Sequence, residues 1–205
     1  MNALAWKEMA AQTHPVRSFD ELWDALEDVP EGFTGEIVGG TVRMNPRPGP
    51  PHIEASSGLG ALVTGAFRFG IGGPGGWVIL DEPRIRFGNE CRVPDIAGWR
   101  RERYARPEAG PYVVVPDWIC EILSKSTAVE DRTEKLPLYA KHGARHVWIV
   151  DAVAQTLEVL RLEEGRWIVA QTFGGDAKVR AEPFDAIEID LALVWGPRSE
   201  SDDER

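Results

Sequence analysis

The hexapeptide Trp118-Ile119-Cys120-Glu121-Ile122-Leu123 constrains the fold of this chain more than any other stretch. It is apolar, β-branched and aromatic, entered through Pro116-Asp117 and left through Ser124 to Thr127, so it reads as a buried strand. Alternation along a strand puts Glu121 on one face with Ile119 and Leu123. A buried carboxylate without a partner is costly, and must be protonated, paired or bound to a metal. Downstream, a helical pattern runs from Val129 to His142 and stops at Gly143, before the strand-like His146–Asp151. A strand, a helix and a strand in that order predict a right-handed crossover and parallel pairing.

The rest of the chain fits a mixed sheet flanked by helices, α/β or mixed α+β, with a β-rich C-terminal part. Ser18-Phe19-Asp20-Glu21 is a capping box opening a short helix to about Glu27. Gly35 to Met44 reads as a hairpin turning at Gly39-Gly40, and a helix follows from His52 to Phe69. Gly58, Gly60 and Gly65 weaken that helix unless they serve close packing. Gly70 to Gly76 is not a phosphate-binding loop, because no Gly-Lys-Ser/Thr follows and Trp77-Val78-Ile79-Leu80 is a strand. Further strands are expected at Arg84–Phe87, Arg92–Trp99 and in a hairpin of Leu157–Leu162 with Arg166–Thr172. Two or three short strands precede Trp195. One domain is expected over residues 1–197, followed by an acidic, disordered tail over 198–205.

The net charge of -10 argues against a general basic coat for nucleic acid. Yet Arg84 to Arg106 holds seven arginines against three acids, either a solvated surface or a local phosphate-facing patch. Cys91 and Cys120 make no disulfide framework and are expected as reduced, buried thiols in a cytoplasmic protein. No apolar run reaches a membrane span, and the N-terminus lacks the order of a signal peptide.

Glu121 therefore needs company. Asp117, four residues back, would lie about 13 Å away along a strand, too far to share a metal. Asp95 also stands in an apolar segment, after Pro94, and can converge on Glu121 if the two strands pair. Two carboxylates with a backbone carbonyl and waters suit magnesium. Lys135 sits on the following helix, four residues after Asp131. It is either an i,i+4 partner of that acid or a long side chain reaching the sheet edge.

Taken together, these segments resemble the Uma-two family of restriction-endonuclease-like proteins, in the PD-(D/E)xK nuclease superfamily. The resemblance is carried by Val93-Pro94-Asp95, Glu121 to Thr127, Asp131, Lys135-Leu136-Pro137-Leu138-Tyr139, Gly143 and Val147 to Asp151. Glu36 to Gly40, Met44-Asn45-Pro46 and His52 match as well, so the resemblance spans Ser18 to Leu162. It implies a restriction-endonuclease-like core and a phosphodiester-cleaving site using magnesium or manganese. Asp95 and Glu121 match the motif acids, and Leu123 stands where the superfamily lysine is expected. Lys135 takes over as the catalytic lysine, ahead of Lys125. Asp95, Glu121 and the carbonyl of Ile122 are the implied metal ligands. Glu36 is an accessory residue, either a metal ligand or a surface carboxylate. His52 is read either as a phosphate contact or as a solvent-exposed cap. Ser124, Ser126 and Thr127 are assigned to helix-end amides. Nucleic acid, in the first place DNA, is the implied partner, and a homodimer the implied assembly.

Two other functions compete. A nuclease-fold module that binds nucleic acid or a protein without cutting would be favoured by a site that binds no divalent ion, or by arginines closing on both acids. A two-carboxylate glycosidase needs more widely separated acids and an aromatic-rich cleft.

Overall fold

The computed structural model describes residues 17–124 and 126–196, so the expected acidic tail and Lys125 lie outside the described residues. Helix α1 (Phe19–Asp24) opens on the expected capping box. The Ser18 amide donates to Glu21 Oε2 at 2.7 Å, and the Glu21 amide donates to Ser18 Oγ at 3.2 Å. Strands β1 (Phe33–Val38) and β2 (Thr41–Pro46) form the hairpin. Its two-residue turn needs positive φ at both positions, and Gly39 (56°) and Gly40 (79°) supply it. With β4 (Ile85–Phe87) and β5 (Glu90–Arg92) they make an antiparallel four-stranded sheet ordered β2-β1-β5-β4. Leu22 and Leu26 pack on it against Ile37 and Cys91.

The larger sheet holds β3 (Trp77–Asp81), β6 (Ile96–Arg100), β7 (Trp118–Ile122), β8 (His146–Asp151), β9 (Thr156–Glu163) and β10 (Arg166–Gly174), ordered β10-β9-β8-β7-β6-β3. The predicted parallel pair is β7 with β8, with Glu121 beside Ile149. The other pairs in this sheet are antiparallel, so the sheet is mixed as expected. The short β11 (Lys178–Val179) and β12 (Ile189–Asp190) pair by themselves. Alternation sorts the large sheet's residues. Trp118, Cys120, Ile122, Trp148 and Val150 face the core under helix α2 (Pro50–Val63). Ile119, Val147 and Ile149 face Tyr139 of the crossover helix. Among the described residues, no helix is long and apolar enough to cross a membrane. Cys91 and Cys120 are free and buried as expected, and burial pushes the Cys91 thiol up to about 12.

One expected strand is corrected. Arg92–Trp99 is not continuous: β5 ends at Arg92 in the small sheet, and β6 begins at Ile96 in the large one. Pro94 has no N–H to give a ladder, and the Val93 amide donates to the Glu36 side chain instead, so the chain changes sheets there. The crossover helix is also irregular. It runs as α3 (Ala128–Glu130), a π-helical turn over Asp131–Lys135, and α4 (Leu136–His142), closing at Gly143 with φ 80°. Pro137 cannot donate to a carbonyl one turn back, and the Leu136 amide reaches Asp131 O, widening the turn that carries Lys135.

Two glycines are fixed by close approach. A Cβ on Gly58 would lie 2.5 Å from the Leu193 carbonyl, so this glycine lets α2 pack on the C-terminal turn. A Cβ on Gly98 would meet Ile79 at 2.9 Å and Trp118 at 3.1 Å. Gly98→Ala is expected to overpack the core by about 1–3 kcal/mol. Thermal unfolding followed by circular dichroism should show a midpoint several degrees lower; an unchanged midpoint would mean that the aromatic layer gives way freely.

Candidate active site

The strand pairing brings Asp95 to Glu121. In the β6–β7 register Ile96 faces Cys120, so the residue before β6 stands beside Glu121. Asp95 Oδ2 accepts the Ile122 amide at 2.6 Å, and its Oδ1 lies 3.0 Å from His52 Nε2. Glu121 is buried, with Lys135 Nζ at 3.0 Å from Oε2 and the Tyr139 hydroxyl donating to Oε1 at 2.5 Å. Lys135 Nζ also lies 3.1 Å from Asp131 Oδ1. The two readings of Lys135 thus hold together: it pairs with Asp131 along the helix and reaches Glu121 on the sheet.

His52 corrects an expectation. It is not an exposed cap but a buried side chain in the first turn of α2, turned onto Asp95. Glu36 is likewise buried rather than a surface carboxylate. Its Oε1 accepts the Val93 amide at 2.7 Å, and its Oε2 lies 3.3 Å from Arg92 Nη1. Glu36 thereby clamps the linker that delivers Asp95. Asp117 is elsewhere, at the far end of β7, accepting the Arg100 amide at 2.9 Å and pairing with Arg103. Ser124 Oγ accepts the Thr127 amide at 3.3 Å, the helix-end role expected of it.

Tyr139 and Asp131 complete the cluster. The signal for both is spacing: each is four residues from Lys135 and shares its helix face. Arg92 gives no such signal, since its partners come from three different segments.

Glu36, His52, Asp95, Glu121, Asp131 and Lys135 line one narrow cavity of about 60 Å³. Acids outnumber bases there. Burial pushes the Glu121 carboxyl well above the carboxylate range, and Asp131 and Asp95 add to the shift against the opposing pull of Lys135. Burial opposes the charge on Lys135, but Glu121, Glu36, Asp131 and Asp95 outweigh it and keep the ammonium protonated. Among the described residues no group of three or more His, Cys, Asp or Glu side chains is arranged to hold a metal ion. The donor set fits the other pattern, in which magnesium takes one or two carboxylates and keeps its waters. A divalent cation held by Asp95 and Glu121 would offset the burial, and the smaller repulsion, that raise Glu121. A wider groove of about 440 Å³, lined by Arg47, Ser56, Ser57 and Asp81, adjoins the cavity over α2 and shares His52 and Glu82 with it.

The chain matches the Uma2 family, described as "Putative restriction endonuclease", over residues 19–193. Among solved structures, the fold is similar to that of a "putative nuclease belonging to DUF820" from Anabaena variabilis ATCC 29413. The two are 24% identical with a TM-score of 0.67, and the match covers 87% of this chain and 97% of that one. No curated protein matches the chain.

Proposed function

The chain belongs to the Uma2 family, and on that premise we propose a magnesium- or manganese-dependent endonuclease that hydrolyses phosphodiester bonds of DNA. The observation that carries this reading is the meeting of Asp95, Glu121 and the Lys135 ammonium in one cavity. Asp95 and Glu121 would hold the cation, with the Ile122 carbonyl as a further ligand. When bound, the cation polarises the phosphate and lowers the pKa of a coordinated water.

The protein's own groups do the rest. His52 and the Ile122 amide fix the two oxygens of Asp95, and Tyr139 fixes Glu121. Lys135 keeps its ammonium and lies against Glu121 and Asp131, so it acts as a donor rather than a base. It orients the attacking water and stabilises charge growing on the phosphoryl oxygens. Glu36 acts through the Val93–Asp95 linker, and a place in the metal shell is its further role in this proposal. The adjoining groove gives the strand a path to the cavity.

Arginines closing on both acids, or a site that binds no divalent ion, would favour the non-cutting alternative. Among the described residues, the side-chain contacts of Asp95 and Glu121 come from His52, Lys135 and Tyr139, which favours the nuclease. The test is cleavage of plasmid DNA by the purified protein. Nicking or linearisation with magnesium or manganese, abolished by EDTA, is expected; intact plasmid under all metal conditions would overturn the reading.

A cytoplasmic homodimer belongs to the same proposal. Free buried thiols support the compartment. The nine-residue edge strand β10, with Ile168 and Val169 exposed, supports the assembly.

A further inference from the structure

We propose that the end of β6 and β7 opposite the cavity is a second contact surface for the nucleic-acid backbone, a proposal that rests on the nuclease reading. Arg68, Arg100, Arg101, Arg103, Arg106 and Arg145 gather in this region of a protein whose net charge is -10. The acids nearby include Asp117, which is buried, the exposed Glu102 and Glu108, and Glu182, which is paired with Arg161.

The arrangement is built rather than incidental. Asp117 pairs with Arg103, accepts the Arg100 amide at 2.9 Å, and lies 3.9 Å from Arg145 Nε. Those two ion pairs are the only ones among the described residues that involve any of the six arginines. Among the described residues, Arg68, Arg100, Arg101 and Arg106 have no carboxylate within ion-pair distance. Arg100 lies over the Trp77 ring at 4.2 Å, Arg68 donates to the Ile79 carbonyl at 2.8 Å, and Arg101 donates to the Arg68 carbonyl at 3.4 Å. Guanidinium groups held against a ring or a carbonyl have lost part of their rotamer freedom already, which lowers the cost of binding phosphate. Phe69 and Ile71, 63% and 72% exposed, stand beside Arg68 as apolar contacts for sugar or base.

Five residues of β6 separate Arg100 from Asp95, about 16 Å along the strand. At that distance the surface serves affinity and does not touch the reacting phosphate.

The test is binding of a fluorescent 30-base-pair DNA duplex over a salt series in EDTA. The native protein is compared with Arg101→Ala/Arg106→Ala/Arg145→Ala and with the control Arg166→Ala/Lys178→Ala/Arg180→Ala, which removes the same charge from the β10–β11 side. Each lost phosphate contact should reduce the slope of log affinity against log salt by about 0.9. The first variant is expected to lose two to three units of slope and to raise KM for cleavage with kcat unchanged, while the control keeps the native slope. A native slope in the first variant, or an equal loss in the control, overturns the surface while native cleavage leaves the nuclease reading standing. A native protein that neither binds nor cuts the duplex overturns both.

Discussion

Glu121→Gln should lower kcat for metal-supported DNA cleavage by about 10³-fold, the scale of losing one preorganised electrostatic group in a water-poor site. The substitution is nearly isosteric. The carboxamide can turn its oxygen to Lys135 and its amino group to the Tyr139 oxygen, so both contacts of the native carboxylate have a replacement. What disappears is the charge that would hold the cation with Asp95. Burial already disfavours that charge in the folded protein, so its removal should cost little stability, with Asp131 remaining beside Lys135. Calorimetry should show weakened divalent-cation binding, and circular dichroism an intact fold. A folded Glu121→Gln protein that cuts as fast as the native one would remove Glu121 from the mechanism.

The legibility of this site follows from how far apart in sequence its partners are. Glu121 is visible because a single acid in an apolar strand violates the burial rule. Lys135, Asp131 and Tyr139 are within reach because helical spacing fixes which residues share a face. The parallel β7–β8 pair follows from an intervening helix. Asp95 is legible too, but on the wrong structure: its segment reads as one strand, and the sheet change at Val93-Pro94 depends on the Glu36 side chain taking an amide 57 residues away. His52 and Glu36 look like surface groups for the same reason. A polar residue at the start of a helix or in a hairpin is exposed by default, and only the long-range partner shows otherwise. Arginine counting over Arg84–Arg106 overstates the surface charge. Arg92 is buried, and Arg84 and Arg86 lie over Trp23 and Phe19 of α1.

Arg92 carries the second large effect, on folding. It is 2% exposed and gathers Glu36 at 3.3 Å, Glu90 at 2.8 Å, Glu130 at 2.7 Å and Glu134 at 3.5 Å. These residues come from β1, β5 and the crossover helix, so one guanidinium ties the small sheet to the element that bears Lys135. Arg92→Met should destabilise the protein by about 3–5 kcal/mol, because Glu36 stays buried with the Val93 amide but loses its guanidinium partner. Arg43 softens the loss only at the outer rim, where it pairs with Glu130 at 2.8 Å and Glu134 at 2.9 Å. Removing the orphaned charge as well should restore much of the stability, so Arg92→Met/Glu36→Gln is expected to unfold at a higher urea concentration than Arg92→Met alone. The pair also separates the two roles of Glu36. In Glu36→Gln the side-chain carboxamide oxygen can still accept the Val93 amide, but a neutral carboxamide is a poor ligand for magnesium. Recovery of both stability and cleavage in the double variant assigns Glu36 to the linker that positions Asp95. Recovery of stability alone assigns it to the metal. An Arg92→Met protein as stable as the native one would mean that water reaches Glu36 and that the burial argument for this network is wrong.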